Sequence, residues 1–374
     1  MTALKVALVY DWADTRYGGA EKVLLALKKI YPQAALYTAF VARGQVPWLK
    51  KFKVVKTSFL QYLPASWRRN KALIAPLMPL AFESFDLSAY DLVISVCSFA
   101  AKGVITTPTQ KHYCYLLTPT RFLYSHPEQY RSAFLRFLTR PLTRYLRRFE
   151  RAAIWRPDKI IVLSRLVAER CQKYYHRAAD AIIYPVLADS YQVGPAGINR
   201  TSKSAAAAPP RFLSVSRLVG YKRVDLAVRA CAKLNLPLTV IGTGPELAKL
   251  EHLAQAAPQI EFLGNVDQKT LNNCYNNATA LLAPGEEDFG LNIIEANQAG
   301  LWVIAHGKSG ATELLNREQI WPLAAATLKE TVKTLQEFTA AWQAQKMRPA
   351  KIADLEKKDF VLTWKKLVGE WQND

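Results

Sequence analysis

The sequence predicts an α/β protein built from two Rossmann-like domains in succession, and three observations carry that prediction. Short apolar runs alternate with segments of helical periodicity in both halves of the chain, the pattern of a parallel sheet covered by helices. Several runs end in glycine-containing turns that open the next helix, the usual punctuation between such elements. A composition break separates the halves. Residues 193–210 are rich in Gly, Ser, Ala and Pro, ending in Ser-Lys-Ser-Ala-Ala-Ala-Ala-Pro-Pro, which is linker composition. The expected organisation is an N-terminal domain over 1–195, a linker over 196–210 and a C-terminal domain over 211–355.

In the first half, strands are expected at 5–10, 35–40, 53–56, 92–96, 112–116 and 159–163. The first is followed by Asp11-Trp12, a polar loop, and Gly18-Gly19-Ala20-Glu21, which opens a helix over 22–30. A glycine pair at a strand-to-helix turn lets backbone approach a phosphate; a tight connection is the plainer alternative. In 131–155, Phe134, Leu138, Leu142, Tyr145, Phe149 and Ala153 recur at helical spacing, out of phase with Arg136, Arg140, Arg144, Arg147, Arg148 and Arg151. That reads as a basic amphipathic helix restarted at Pro141. It is either a solvated arginine face or a contact for a membrane surface or polyanion.

In the second half, a strand over 211–216 leads through Arg217-Leu218-Val219-Gly220-Tyr221-Lys222 into a helix over 224–234. A strand over 237–241 ends in Gly242-Thr243-Gly244-Pro245 before a helix over 246–256. A strand over 260–263 and a short helix over 271–277 follow. The apolar run 278–284 stops at Pro284-Gly285 and enters Glu286-Glu287-Asp288-Phe289-Gly290. Helical spacing then runs from Leu291 through Ile294, Glu295 and Gln298 to Gly300, and a further strand is expected at 302–305.

The 374 residues hold 50 Lys and Arg against 30 Asp and Glu, a net charge of +20. Such an excess favours an anionic partner: a phosphorylated ligand, nucleic acid or an anionic membrane face. The basic face of 131–155 lacks interleaved aromatics, so nucleic acid is not expected. Half of the residues are apolar, enough for sizeable cores. The five scattered cysteines, Cys97, Cys114, Cys171, Cys231 and Cys274, read as reduced thiols rather than a disulfide framework. The start runs straight into a strand without an apolar signal core, and no run of about 18 apolar residues occurs. A cytoplasmic location is the expectation.

Chemistry concentrates at three strand ends of the second half, where parallel sheets place ligands. Arg217 and Lys222 supply two cations able to neutralise a diphosphate leaving group. Gly242 and Gly244 would let a base or ribose approach the backbone. At the third strand end the helix N-terminus opened by Gly290 suits an anion, yet the carboxylates Glu287 and Glu295 stand beside it. Carboxylates next to a phosphate site are useful when they hold hydroxyls of the same ligand, which points to a sugar nucleotide. Taken singly, each feature also has a plain reading as loop charge, helix cap or solvated face.

These motifs together resemble the retaining GT-B glycosyltransferases of the glycosyltransferase group 1 family. The residues that carry the resemblance are Ser216-Arg217-Leu218 with Lys222, Gly242 to Pro245, Phe262-Leu263-Gly264, and Glu287 through Glu295 at the spacing of that family's paired glutamates. Gly18-Gly19-Ala20-Glu21 is similar to its N-terminal diphosphate loop. Phe82-Glu83, the run from Tyr90 to Ser95, Cys114-Tyr115 with Thr118-Pro119-Thr120-Arg121, Ile161 to Ser164 and Ile183-Tyr184-Pro185 look like the bacterial mannosyltransferases that build O-antigen and exopolysaccharide. The resemblance implies a GT-B architecture: two Rossmann-like domains facing across a cleft, with a last helix in 356–374 returning to the N-terminal domain. It implies that Arg217 and Lys222 hold the diphosphate with Gly18 and Gly19. Glu287 would contact the transferred sugar beside the Phe289, Gly290 and Leu291 backbone, and Glu295 the ribose. No metal and no cofactor are expected. The substrates implied are a nucleotide sugar, GDP-mannose foremost, and a lipid-linked saccharide acceptor at the inner membrane face, with peripheral contact to anionic lipid. One departure stands out: Leu117 occupies the position before Thr118-Pro119 where those mannosyltransferases carry histidine. It leaves open a second reading, a non-catalytic sugar-nucleotide-binding scaffold subunit.

Overall fold

The computed structural model describes residues 4–14, 18–42, 44, 46–125, 127–130, 138–186, 209–315, 318, 320–344 and 360–373. The chain divides into two compact units, Met1–Val186 with Lys358–Asp374 and Leu187–Lys357. Most of the 196–210 linker and residues 131–137 of the arginine-rich region lie outside the described residues.

The first unit holds seven parallel strands, β1 (Val6–Tyr10), β2 (Ala35–Thr38), β3 (Val55–Thr57), β4 (Leu92–Cys97), β5 (Lys111–Leu116), β6 (Lys159–Val162) and β7 (Ala181–Ile182), in the order β3-β2-β1-β4-β5-β6-β7. The apolar residues of β1, β2, β4, β5 and β6 are buried on both faces, as continuous runs such as Val-Ala-Leu-Val-Tyr demand, and those of the edge strands β3 and β7 are half-buried. The chain leaves β1 toward β2 and β3, then returns to the other side for β4, so the sheet reverses between β1 and β4. The final helix, Phe360–Asn373, belongs to this unit, as the resemblance implied. Trp364 is fully buried, its Nε1 donates to the Tyr31 hydroxyl at 3.2 Å, and Phe360 packs edge-on against Tyr115.

The second unit holds six parallel strands, β8 (Phe212–Val215), β9 (Leu238–Ile241), β10 (Ile260–Gly264), β11 (Ala280–Ala283), β12 (Trp302–His306) and β13 (Ile320–Leu323), in the order β10-β9-β8-β11-β12-β13. Its reversal lies between β8 and β11. Helix Val224–Leu234 buries Val224, Ala227, Val228 and Cys231 in a core with Phe212, Leu282, Leu335 and Phe338. Both units are therefore Rossmann-like, as the sequence predicted.

Several details differ from the sequence reading. β13 was not expected, because Pro322 interrupts its apolar run; an edge strand tolerates the missing N–H. Helix Gln268–Asn277 starts three residues earlier than expected, where Asp267 caps it by accepting from the Thr270 N–H at 2.8 Å. In helix Arg140–Ala153 the buried stripe is Leu146, Glu150 and Ala153, while Tyr145 is exposed. Of the expected apolar stripe in this helix, Ala153 is buried and Leu142 and Phe149 are half-buried, so the spacing finds the inward side but misses Glu150, because the residue at its centre is charged. Among the described residues no helix is long and apolar enough to cross a membrane.

Candidate functional site

The reversal of strand order in the second unit sets the loop after β8 beside the loop after β11, the position at which open α/β sheets bind ligands. Gly285 makes that approach close. A Cβ there would lie 2.6 Å from the carbonyl oxygens of both Tyr221 and Lys222, so the turn Gly220–Lys222 rests directly on the Pro284-Gly285 backbone. The consequence is an ion pair between Lys222 Nζ and Glu287 Oε2, with side chains 14% and 9% exposed. Ser309, beyond β12, accepts from the Glu287 N–H at 3.1 Å. The Gly310 and Ala311 N–H groups take the Glu287 and Phe289 carbonyls at 3.1 and 2.7 Å. The acidic loop is thus held from both sides.

Gly290 sits in the left-handed region at φ +97° and opens helix Leu291–Gln298 with no side-chain cap, leaving its first N–H groups available to an anion. Asn292 Nδ2 donates to the Val215 carbonyl at 2.9 Å, tying this helix to the end of β8. Glu295, one turn further, accepts from the Tyr275 hydroxyl at 3.1 Å. Arg217 reaches from the exposed loop after β8, and its Nη2 donates to the Tyr221 hydroxyl at 2.8 Å.

Gly242 and Gly244 stand at the next strand end. At Gly242, φ is +138° and a Cβ would lie 1.8 Å from the Ser216 carbonyl oxygen; at Gly244 a Cβ would lie 2.3 Å from that of Leu218. The Leu218 N–H also bonds the Thr243 carbonyl at 2.9 Å. What the missing side chains admit here is the Ser216–Leu218 backbone, so these glycines set the path of the loop that carries Arg217.

The structure therefore brings Lys222 and Glu287 into contact. Gly290 and Leu291 follow them at the helix start, Arg217 lies on the adjoining loop, and Glu295 is further along the helix. Gly18 and Gly19 belong to the other unit. There Gly18 precedes helix Gly19–Ile30 in extended backbone without a side-chain cap, and Gly19 is exposed. In that helix Glu21 is buried and accepts from the Tyr10 hydroxyl at 2.7 Å, and burial raises its pKa. Ser309, Asn292, Tyr275 and Tyr221 were not singled out from sequence. Each acts through a partner at least four residues away, which no local motif announces.

The first unit's own reversal point is filled from within. The buried Asp11 carboxylate accepts four backbone N–H bonds, from Ser98, Phe99, Ala100 and Ala101, at 2.7 to 3.0 Å. Behind it, Lys102 and Glu150 form an ion pair at 2.6 Å with both side chains 0% exposed. Glu150 also accepts from Thr120 Oγ1 at 2.7 Å and the Tyr175 hydroxyl at 2.9 Å. Burial opposes the Lys102 charge, but the adjacent Glu150 carboxylate raises its pKa above the ordinary lysine value. This group ties the loops after β4 and β5 to helix Arg140–Ala153. Leu117 lies at the start of the β5 loop, its N–H bonded to the Cys97 carbonyl at 2.8 Å. Among the described residues no three His, Cys, Asp or Glu side chains are grouped to hold a metal ion.

Residues 197–337 match the family model for glycosyl transferases group 1. No curated protein is matched by sequence. Solved structures are matched over almost the whole chain. Sucrose-phosphate synthase from Thermosynechococcus elongatus aligns at 17% identity with a TM-score of 0.70, covering 99% of both chains. Anabaena Alr3699/HepE in complex with UDP and glucose aligns at 16% identity and a TM-score of 0.65, covering 99% of this chain and 100% of that one. WaaG, a glycosyltransferase involved in lipopolysaccharide biosynthesis, aligns at 18% identity and a TM-score of 0.62, covering 97% and 99%. The fold is the one these GT-B-like structures share.

Proposed function

We propose that this chain is a retaining glycosyltransferase that moves a hexose, mannose foremost, from a nucleotide sugar to a lipid-linked saccharide in the synthesis of cell-surface polysaccharide. The observation that carries the reading is the meeting of Lys222, Glu287 and the uncapped helix start at Gly290 at the reversal point of the second sheet. In this reading the donor diphosphate lies over the helix N-terminus and draws Lys222 partly away from Glu287. Arg217 closes on it from the β8 loop. As the sugar–phosphate bond breaks, charge grows on the leaving oxygen, and cations already in place stabilise it without reorganisation. A metal ion is not required for that neutralisation. Glu287, fixed through its backbone by Ser309, meets a sugar hydroxyl, and Glu295 meets the ribose. The departing phosphate then takes the proton of the acceptor hydroxyl that attacks from the same face.

The fold likeness to a protein solved with UDP and glucose supports a nucleotide-sugar donor and makes UDP-sugars the main competitors of GDP-mannose. Leu117 supports a second reading, a scaffold subunit that binds the donor without turning it over, since an apolar side chain stands where the resembling mannosyltransferases carry histidine. Turnover with membrane extract as acceptor source separates the two. Transfer that falls about 10²–10³-fold in both Glu287→Ala and Lys222→Ala, at unchanged fold, supports the assignment. Near-normal transfer in both variants sinks it.

A further inference from the structure

Charge and exposed hydrocarbon are distributed unequally between the two units. The first unit carries 32 Lys and Arg against 14 Asp and Glu, a net +18, while the second carries 18 against 16, a net +2. Among the described residues, every large apolar side chain that stands open to solvent is also in the first unit. Five of these, Phe59, Tyr62, Trp67, Leu73 and Leu80, lie within the connection from β3 to β4 and are 39% to 89% exposed. The part of that connection up to Phe82 falls inside the longest acid-free part of the chain: from Lys22 to Phe82 there are 11 Lys and Arg and no Asp or Glu.

The connection is a series of short helical turns, Phe59–Tyr62, Ala65–Arg69, Lys71–Ile74 and Met78–Glu83. Leu60, Ile74, Met78 and Phe82 point inward and anchor them. Ser58 caps the first turn and donates to the Ala39 carbonyl at 2.8 Å. Gln61 accepts from the Val41 N–H at 2.7 Å, and Arg68 Nη1 donates to the Val41 carbonyl at 3.2 Å. The outward residues therefore ride on a platform pinned to the end of β2. In a 3₁₀ turn, residues three apart eclipse, so Phe59 and Tyr62 share one face, opposite Leu60. Ala65–Arg69 buries no residue at all, leaving Trp67 and Arg69 both outward.

Five exposed large apolar side chains in one short connection are more than the scattered singles of an ordinary surface, and their chemistry selects the partner. Tyr and Trp at the water boundary, aliphatic side chains beyond them and cations around them fit a lipid interface. A protein interface depletes lysine at its centre. A nucleic acid would stack on the aromatics but offers nothing to Leu73 and Leu80. Residues 59–80 carry Arg68, Arg69 and Lys71 and no acid of their own; Asp14 reaches Lys71 at 2.9 Å, but the two arginines keep the excess positive, which fits an anionic surface. Helix Arg140–Ala153, the basic segment evident from sequence, turns its buried stripe inward and serves only as further positive charge.

We propose that residues 59–80 of the first unit are a docking surface for an anionic lipid bilayer, with Phe59, Tyr62, Trp67, Leu73 and Leu80 entering the interface and Arg69 meeting the headgroups. This deepens the proposed function, because a lipid-linked acceptor is met at a bilayer, but it is read without sugar transfer. The test is co-sedimentation of the full chain with vesicles of phosphatidylcholine alone or mixed with phosphatidylglycerol. The expected result is binding to the mixed vesicles only. The triple variant Tyr62→Ser/Trp67→Ser/Leu73→Ser should bind at least about tenfold more weakly. Arg69→Glu, which changes charge by two, should bind more weakly by roughly fivefold per unit. Ile105→Ser, at another exposed apolar residue of this unit, should bind as wild type. Nucleotide binding in vesicle-free solution should be the same for all of them. Wild type that ignores mixed vesicles, or a triple variant that binds like wild type, overturns the docking surface and leaves the transferase reading standing. Loss of single-stranded oligonucleotide binding in these variants, with vesicle binding unchanged, overturns it in favour of nucleic acid. Vesicle binding by a chain that holds no nucleotide sugar overturns the transferase reading instead.

Discussion

Replacing Lys102 by methionine removes one half of an ion pair that has no access to water. Glu150 would keep its carboxylate in a site where only the Thr120 and Tyr175 hydroxyls face it. Breaking a buried pair in this way costs about 3–5 kcal/mol, far more than a surface pair, because the remaining charge is uncompensated. For a unit of this size each kcal/mol lowers Tm by roughly 2–4 °C, so the expected fall is roughly 6–20 °C. The double variant Lys102→Met/Glu150→Leu removes both charges. It frees the Tyr175 hydroxyl, at about 1–3 kcal/mol, but Thr120 Oγ1 keeps the Ser98 carbonyl at 2.8 Å as an acceptor. The double variant should therefore be more stable than Lys102→Met alone, with a coupling energy of several kcal/mol. Differential scanning calorimetry reads this on the transition of the first unit, with the second unit as internal reference. A single variant within about 1 kcal/mol of wild type would refute the reasoning. So would a double variant no more stable than the single one.

Two further outcomes follow from local geometry. His112 is fully buried, its Nε2 lies 2.9 Å from Ser95 Oγ, and burial with Arg177 and Arg156 nearby lowers its pKa from 6.5 to about 3. The unfolded chain takes this proton first. Its contribution is therefore complete above about pH 6.5 and is lost as pH falls toward 3, at about 1.4 kcal/mol per pH unit. Denaturation of wild type and His112→Leu across that range should diverge by that slope, and parallel profiles would contradict it. Gly242→Ala puts a Cβ onto the Ser216 carbonyl at a φ of +138°, which should cost about 2–5 kcal/mol in the second unit's transition and weaken donor binding by shifting the Arg217 loop; a Tm within about 2 °C of wild type would argue against this.

Much of the fold was legible because alternating apolar runs and helical segments leave few other solutions. The end of β11 was legible because Pro284-Gly285 marks a strand end that the chain needs for close approach. What escaped was set by partners distant in sequence. Glu150 broke the apolar count of its helix because its charge is met by Lys102, 48 residues away. Asp11 looked like an ordinary loop acid, yet its partners are backbone groups at 98–101, which carry no side-chain signature. Gly242 and Gly244 promised backbone exposed to a ligand, whereas the space before them holds the neighbouring loop. The resemblance assigns Lys222 to the diphosphate and Glu287 to the sugar of one donor, and nothing in the sequence shows that the two side chains pair. The basic helix stands out through its arginine spacing, while residues 59–80 between β3 and β4 lack any period that would mark them.

The proposed function stands or falls with donor binding at the β8–β11 reversal point of the second unit. Its most direct measurement is calorimetric titration of wild type and Lys222→Ala with GDP-mannose and a panel of UDP-sugars, in the presence of a chelator, with released nucleotide followed in parallel. Wild type should bind one nucleotide sugar selectively and release nucleotide slowly, and Lys222→Ala should bind it far more weakly. Wild type that binds none of the panel, or binds with an affinity indifferent to Lys222, would contradict the proposed function.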